Sequence, residues 1–338
     1  MDINTMKQIA REKFKGSCRI CPVCNGVACA GEMPGMGGCG TGNAFRNNFA
    51  ALARVRLNLR TVHNVVEPKL ACNILGMSLA MPVMAAPIAG INVNMKSALT
   101  EDEYAAAIAV GSVGAGVISM TGDGSYTDQF DCGLRALALV KGYGIPIIKP
   151  RVVEKVVEMA KRAEEAGAPA FGMDIDAAAF ISMAKAGHPV SPKTQVELSE
   201  IKQKTSIPFI VKGIMTPDDA VACCEAGVDA IVVSNHGGRV LDYGPGTAEV
   251  LPDIASAVKG RMTVLVDGGI RSGIDILKML ALGADAVLIG RPLSIAAVGG
   301  GAEGVELVLR NYSSELKAAM ILTGTADVAA VSRRIIFS

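Results

Sequence analysis

Short apolar runs recur along the chain from about residue 82, and stretches of helical periodicity separate most of them. The runs are rich in Val, Ile, Met and Ala and are too short for helices, so each predicts a buried strand. Between two of them, residues 153–166 place Val153, Val156 and Ala160 on one face and charged residues on the other, which predicts an amphipathic helix. The predicted strands are 82–86, 115–119, 145–149, 170–175, 207–212, 229–234, 262–267 and 285–290.

A weak internal repeat supports this alternation. Three similar five-residue segments, 166–170, 226–230 and 282–286, each carry a glycine just before a predicted strand. A glycine at this place is typical of a helix C-terminal cap. Eight strands alternating with helices predict an α/β fold, a (β/α)₈ TIM barrel over residues 81–338. Residues 1–80 form a helical, Cys/Gly-rich segment that we expect to pack on the barrel mouth without being an independent domain.

Composition narrows the classes of partner. The 338 residues are 50% hydrophobic with a net charge of +1, and no basic stripe indicates a nucleic acid partner. The uncharged stretch 75–95 contains Pro82 and Pro87, which favours a strand with flanking loops over a membrane span. The charged N-terminus does not read as a signal peptide. Nine cysteines without an export signal predict a reducing, cytoplasmic location.

Polar residues stand at the ends of the predicted strands, where a barrel of this type carries its chemistry. Two lysines and two aspartates lie directly in apolar runs such as Phe-Ile-Val-Lys and Val-Leu-Val-Asp. Simple contact of strand ends with water explains one or two such residues, whereas a shared active site explains the set. The predicted strand-end residues are Ala86, Ser119, Lys149, Asp174, Lys212, Ser234, Asp267 and Gly290.

The segment Val-Ser-Asn-His-Gly-Gly-Arg at 233–239 is the most informative stretch. His236 is a side chain that exchanges a proton near neutral pH. Arg239 is suited to hold a carboxylate through two parallel hydrogen bonds. Together they suit a substrate that carries a carboxylate beside an oxidisable C–H bond. The other two histidines, His63 and His188, are expected to be structural or solvated.

Two glycine–arginine turns follow the last two predicted strands. Glycines allow close approach of the backbone to an anion, and helix N-termini direct free N–H groups toward it. The corresponding loops of TIM barrels commonly hold phosphate, so we favour a phosphate site over ordinary tight turns. The residues concerned are Gly268, Gly269, Arg271, Gly290 and Arg291.

These residues carry a resemblance to a known family. The stretch from about 207 to 336 resembles the FMN-dependent α-hydroxy acid oxidases and dehydrogenases, such as glycolate oxidase and lactate oxidase. The matching segments are 208–213, 233–239, 241–243, 266–273 and 288–292, and 81–89 looks like the first strand and flavin-contacting turn of that family.

The resemblance implies FMN-dependent oxidation of an L-2-hydroxy acid to the 2-oxo acid by a homotetramer. His236 would be the base and would face the substrate, Arg239 would hold its carboxylate, and Lys212 would stabilise the reduced flavin. Ser119 or Thr121 would bond the pyrimidine edge of the ring. The remaining implied cofactor contacts are Pro87, Ile88, Ala89, Asp174, Ser234, Asp267, Gly268, Gly269, Arg271, Gly290 and Arg291.

The chain departs from the family in the predicted substrate pocket. It has no tyrosine before Tyr104, its third strand lacks the usual glutamine and tyrosine, and Asp174 stands where the family has a threonine. Lys149 is a candidate replacement for a missing donor. Two alternatives therefore stay open. One is another FMN-barrel enzyme, similar to type 2 isopentenyl diphosphate isomerases or a dehydrogenase with a different substrate, and the other is a flavin- or metal-binding regulatory protein without turnover.

A cysteine cluster precedes the barrel. Cys18, Cys21, Cys24 and Cys29, followed by Cys39, resemble an iron–sulfur or zinc segment without matching the common ferredoxin run. An iron–sulfur cluster would relay electrons to an electron-acceptor protein and make the enzyme a dehydrogenase. The other interpretations are a covering loop of small residues and a redox-active thiol pair at Cys21 and Cys24.

Overall fold

A computed structural model describes residues 1–125 and 128–337. Eight parallel strands close into a barrel in the order of the chain, which confirms the predicted (β/α)₈ fold. A small antiparallel hairpin, β1 (Cys72–Ile74) and β2 (Met77–Leu79), precedes it. The barrel strands are β3 (Val83–Ala85), β4 (Ile118–Thr121), β5 (Gly144–Ile148), β6 (Phe171–Asp174), β7 (Phe209–Ile214), β8 (Ala230–Val233), β9 (Thr263–Val266) and β10 (Ala286–Ile289).

Helices surround the barrel, and their ends follow local capping signals. Thr100 begins one helix and Thr194 another through a capping box with the glutamate three residues later. The helices are α1 (Ile3–Lys13), α2 (Asn43–Arg54), α3 (Ile91–Asn94), α4 (Glu101–Gly114), α5 (Gln129–Leu139), α6 (Val153–Glu165), α7 (Ile181–Lys185), α8 (Gln195–Gln203), α9 (Pro217–Glu225), α10 (Thr247–Ala257), α11 (Gly273–Ala281) and α12 (Arg291–Thr323). A 3-10 helix, Ile175–Ala179, follows β6, and two more, Val328–Ala330 and Arg333–Ile335, lie near the C-terminus.

The repeated glycines lie where the sequence places them. Gly167, Gly227 and Gly283 follow α6, α9 and α11 with φ of +82°, +82° and +117°. A residue with a Cβ rarely adopts this left-handed conformation, whereas glycine does so readily. The predicted helix C-caps are confirmed, and each directs the chain into the next strand.

The barrel interior is filled by side chains from alternate strand positions. Ile118, Met120, Ile145, Ile147 and Leu288 belong to one buried cluster inside the barrel. Ile74, Met77 and Leu79 of the hairpin join the same cluster, so the hairpin closes the end of the barrel opposite the strand C-termini. The chemistry is therefore confined to the other end.

The second barrel strand lies three residues later in the chain than predicted. The expected strand was 115–119, and the observed strand is Ile118–Thr121. Since Ile118 and Met120 point into the barrel, Ser119 and Thr121 point to the helix layer, where Thr121 lies against Gly133 of α5. The prediction that Ser119 or Thr121 donates a side-chain hydrogen bond at the mouth is wrong, and Gly122 takes the inner position.

The N-terminal segment lies against the barrel mouth and the outer helices. Helix α1 packs on α12, and the Cys39 N–H donates to the carbonyl of Gly238 at 2.9 Å. Helix α12 is the one helix in the described ranges that is long and apolar enough to cross a membrane. It is kinked at Gly301, and 61% of its apolar window is buried, so here it is a core helix of the outer layer.

Candidate active site

Charged side chains from neighbouring strands meet at the C-terminal mouth of the barrel. Lys149 follows β5, Asp174 ends β6, Lys212 lies in β7 and Asp267 follows β9, and all four are buried. Each occupies the inner position of its strand, because the residues two before it line the interior. These four predicted strand-end residues contact one another, and their sharing of one active site stays a prediction.

Asp174 is the centre of the charge network. Its Oδ2 lies 2.6 Å from Lys149 Nζ, and its Oδ1 lies 3.4 Å from Lys212 Nζ. Lys212 Nζ also lies 3.7 Å from Asp267 Oδ2. Burial alone would raise the pKa of Asp174, but His236, Lys149 and Lys212 hold that pKa well below its usual range. Asp174 is therefore ionised and pairs with both lysines within the barrel mouth.

His236 is held in a strained backbone conformation beside this network. Its φ is +58°, uncommon for a residue with a side chain, and its N–H donates to Ser234 Oγ at 3.1 Å. Nδ1 lies 2.9 Å from Asp176 Oδ1 and 3.4 Å from Asp174 Oδ1. Because both carboxylates meet Nδ1, the imidazole presents its Nε2 edge to other partners.

The two carboxylates set the protonation of the imidazole. Burial alone would lower the pKa of His236, but Asp174 and Asp176 outweigh burial and raise that pKa above its usual value. Burial raises the pKa of Asp176. His236 thus holds its proton more tightly than a free imidazole does, and Asp176 orients the ring from Nδ1.

Sequence reasoning missed Asp176. It lies in the 3-10 helix two residues beyond Asp174, the last residue of β6, and the prediction covered strand ends only. The signal was present as Asp-Ile-Asp at 174–176, since a carboxylate two residues past a strand end can still face the mouth. One oxygen of Asp176, Oδ2, is buried and has no hydrogen-bond partner among the described residues.

A second buried ion pair, also missed, lies beside the first. Arg151, in the loop after β5, pairs with Asp123, in the loop after β4, through contacts of 2.9 Å and 3.2 Å. Asp123 also accepts from the Lys149 N–H at 3.0 Å, and Arg151 donates to the carbonyl of Gly124. This pair fixes the two loops that flank Lys149.

Arg239 lies on the same rim as His236 but turns toward the N-terminal segment. Its guanidinium donates to the carbonyls of Gly35 at 2.7 Å and Gly37 at 2.8 Å, and to Asn94 Oδ1 at 2.8 Å. All three acceptors are uncharged. The predicted grip of Arg239 on a substrate carboxylate stays a prediction.

The two arginines of the predicted phosphate site also contact uncharged groups. Arg291 donates to the carbonyls of Met36, Gly37 and Gly237 at 2.8–3.2 Å. Arg271 donates to the carbonyl of Cys24 at 3.2 Å and reaches the Cys24 thiol at 3.5 Å. Burial, together with Arg239 and Arg271, lowers the pKa of Arg291 to about 9. The role of these two arginines in binding phosphate stays a prediction.

The remaining predicted cofactor residues lie around the mouth. Pro87, Ile88 and Ala89 form the loop after β3 and pack against the loop after β4, where a Cβ at Gly122 would lie 3.1 Å from the Ala89 nitrogen. Gly268 and Gly269 follow Asp267 with φ of +102° and +80°. Ser234 directly follows β8, and Gly290 precedes α12.

Comparison with known proteins agrees with the resemblance. The profile of the FMN-dependent dehydrogenase family matches residues 35–195 and 182–338. Human 2-hydroxyacid oxidase 1 is 31% identical over 86% of this chain and 87% of its own length. The L-lactate oxidase of Lactobacillus jensenii is 33% identical over 84% and 75% respectively.

Solved structures give the same result. A crystal structure of mandelate oxidase superposes with a TM-score of 0.81 at 29% identity and covers 99% of this chain and 97% of that chain. The family profile accounts for the barrel and leaves residues 1–34 outside its match. The chain belongs to the FMN-dependent dehydrogenase family.

Proposed function

We propose that this protein oxidises an L-2-hydroxy acid to the 2-oxo acid with FMN. The observation that carries the proposal is the meeting of His236 and Lys212 at one oxygen of Asp174, each at 3.4 Å. A base and a permanent cation thereby face one mouth. The homologous 2-hydroxyacid and lactate oxidases support the reaction class.

The residues present fit FMN. Asp267 Oδ1 is buried without a hydrogen-bond partner among the described residues, and such an atom requires a donor. Lys212 is the cation that would face the flavin ring, and Gly268 and Gly269 provide backbone close to a bound anion. When bound, FMN accepts the two electrons that the substrate loses.

His236 would remove a proton from the substrate through Nε2. Its Nδ1 is held by Asp176, so the ring is oriented before substrate arrives, and the imidazolium formed by proton transfer is stabilised by two carboxylates. Because general base catalysis requires the neutral imidazole, the raised pKa of His236 implies an acidic limb at a pH above the usual histidine value.

Arg239 would hold the substrate carboxylate. Its present acceptors are uncharged, so a carboxylate would form a stronger, charge-assisted pair with the guanidinium. Lys149 and Asp174 replace residues of the family pattern and neutralise each other at 2.6 Å. Arg239, by contrast, donates to no carboxylate among the described residues.

Anaerobic mixing of the purified protein with a panel of L-2-hydroxy acids tests the proposal. Lactate, glycolate and mandelate would be compared with their D-enantiomers where these exist. We expect at least one L-acid to bleach the flavin absorbance and to yield one 2-oxo acid per flavin. Bleaching by none of the acids, with FMN bound, would instead favour the isomerase-like alternative.

The proposal extends to the oligomeric state of the protein, its cellular location and its electron acceptor. We infer a homotetramer, supported by the exposed apolar side chains of Leu59, Val62 and Val66 on one segment, and cytoplasmic residence, supported by nine unpaired cysteines. The acceptor is dioxygen or an electron-acceptor protein. Light scattering of the eluted holoenzyme measures the assembly, and turnover with dioxygen against ferricyanide distinguishes the acceptors.

A further inference from the structure

Four of the five N-terminal cysteines line one cavity. Cys18, Cys21, Cys24 and Cys29 surround a cavity with about 450 Å³ of atom-free space, part of it open to solvent. Arg291 and Ile295 form its wall on the barrel side. Cys39 is not part of this lining and instead lies against Gly238. The structure thus separates four thiols from the fifth.

The loop that carries these thiols is tightly built. A Cβ at Gly37 would lie 2.0 Å from the carbonyl oxygen of Cys29, and a Cβ at Gly26 would lie 2.7 Å from the Phe45 ring. Arg19 and Glu32 form an ion pair across the loop. Ile20, between the first two cysteines, has φ of +48°, which is strained for a β-branched residue. A loop that merely covered the barrel would not require such close backbone packing.

The surroundings of the thiols favour an anionic group. Arg291 is half-buried, and its acceptors among the described residues are backbone carbonyls. Arg271 reaches the Cys24 thiol at 3.5 Å, and Arg291 lines the same cavity as Cys29. Bound metal would remove the repulsion between four thiolates.

The spacing of the sulfurs distinguishes between metals. Zinc holds thiolates at about 2.3 Å, so four ligands of one ion lie about 4 Å apart. Among residues 1–125 and 128–337, the only set of three or more candidate ligands within 4.8 Å of one another is Asp174, Asp176 and His236. The four thiols are therefore farther apart than a single ion requires, whereas a cubane of four irons spreads its thiolates more widely.

We propose that Cys18, Cys21, Cys24 and Cys29 ligate a [4Fe–4S] cluster in the cavity beside Arg291. The first three cysteines have the C-x₂-C-x₂-C spacing of bacterial ferredoxins, and Cys29, in the same cavity, supplies the fourth thiol. The family profile begins at residue 35, so the family match does not account for these ligands. The site is independent of the hydroxy acid that the barrel oxidises.

Metal and sulfide analysis of the full-length protein, purified without oxygen, tests the site. We expect about four irons and about four acid-labile sulfides per chain, with a low-temperature electron paramagnetic resonance signal after dithionite reduction. If the isolated protein holds no iron, anaerobic incubation with ferrous iron, sulfide and a thiol reductant should restore the same content. Stoichiometric zinc without sulfide would overturn the proposal, as would thiols that stay metal-free after this incubation.

Matched cysteine variants assign the ligands. Cys24→Ser and Cys21→Ser should each lose most of the iron and the resonance signal, while Cys39→Ser keeps both. Far-ultraviolet circular dichroism serves as the folding control, because Arg271 and Arg291, which are implied FMN contacts, also touch the cysteine segment. Unchanged iron and sulfide in Cys24→Ser and Cys21→Ser would contradict the assignment. Since the readout is metal content, its failure is distinct from failure of the hydroxy acid reaction.

Discussion

The barrel mouth and its border with the N-terminal segment both contain cations that are at least half-buried, but the partners of these cations differ. In the mouth, Lys149 and Lys212 each contact a carboxylate from a neighbouring strand. At the N-terminal segment, Arg271 and Arg291 donate to carbonyl oxygens and a thiol. A buried charge without a counter-charge is costly. The lysines of the mouth therefore have counter-charges within the chain. Arg271 and Arg291 have none among the described residues, so their surroundings suit an anionic group from outside the chain.

The largest expected effect is on stability at the mouth. Asp123→Asn leaves Arg151 charged and buried, and breaking such a pair costs about 3–5 kcal/mol in the free energy of unfolding. Asp102→Asn is the matched control, because it breaks the exposed pair of Asp102 with Arg135 and should cost less than about 1 kcal/mol. Urea unfolding of both variants measures the difference. Equal losses would mean that burial of the mouth pair has no energetic role.

Asp176→Asn should lower kcat/KM by about 10- to 100-fold, because the imidazole loses its orienting carboxylate. The sign of the pH effect follows from the raised pKa of His236, to which Asp176 contributes. Removing that carboxylate lowers this pKa, so the acidic limb of kcat/KM moves to lower pH. A pH profile with an unmoved limb would show that Asp176 does not act on His236.

Arg239→Lys tests whether Arg239, which contacts the N-terminal segment, also binds substrate at the mouth. A lysine cannot form the two parallel bonds to a carboxylate, so KM for the acid should rise about 10-fold, equal to about 1.4 kcal/mol, with a smaller change in kcat. Steady-state kinetics with the best acid of the panel measures both. An unchanged KM would mean that Arg239 serves only to fasten Gly35 and Gly37.

The smallest expected effect is that of Cys24→Ser on the barrel chemistry. The ligand lies outside the mouth, so the anaerobic rate of flavin reduction by the acid should change by less than about 2-fold, within the range of surface substitutions. Stopped-flow absorbance measures this rate. A large fall in the rate of flavin reduction would show that the N-terminal segment affects the geometry of the mouth. The two regions would then not be functionally independent.

The sequence predicted most of the barrel and half of the site. Strand ends such as Lys212 and Asp267 stand out because a charge in an apolar run needs an explanation. Ser119 and Thr121 were misassigned because side chains alternate along a strand and the all-apolar run did not show which positions of β4 face the interior. Asp176 lies in a short 3-10 helix and Asp123 in a loop, where the periodicity of strands carries no signal.

The N-terminal segment was less predictable for a physical reason. The acceptors of Arg239 and Arg291 are backbone carbonyls, such as that of Gly37, which every residue possesses. Cysteine spacing alone left a cluster, a zinc ion, a covering loop and a thiol pair open. The common cavity brings four thiols together, and their absence from the sets of ligands within 4.8 Å of one another argues against a single zinc ion; both observations depend on the folded loop.

The most direct test of the central claim is the anaerobic single-turnover rate of flavin reduction in His236→Ala. General base catalysis contributes about 10²- to 10⁴-fold, so we expect the rate with the best L-2-hydroxy acid to fall by about 10³-fold while FMN stays bound. His188→Ala, which removes a histidine from the loop after α7, should keep the full rate. A His236→Ala rate within a few-fold of the unmodified protein would contradict the account.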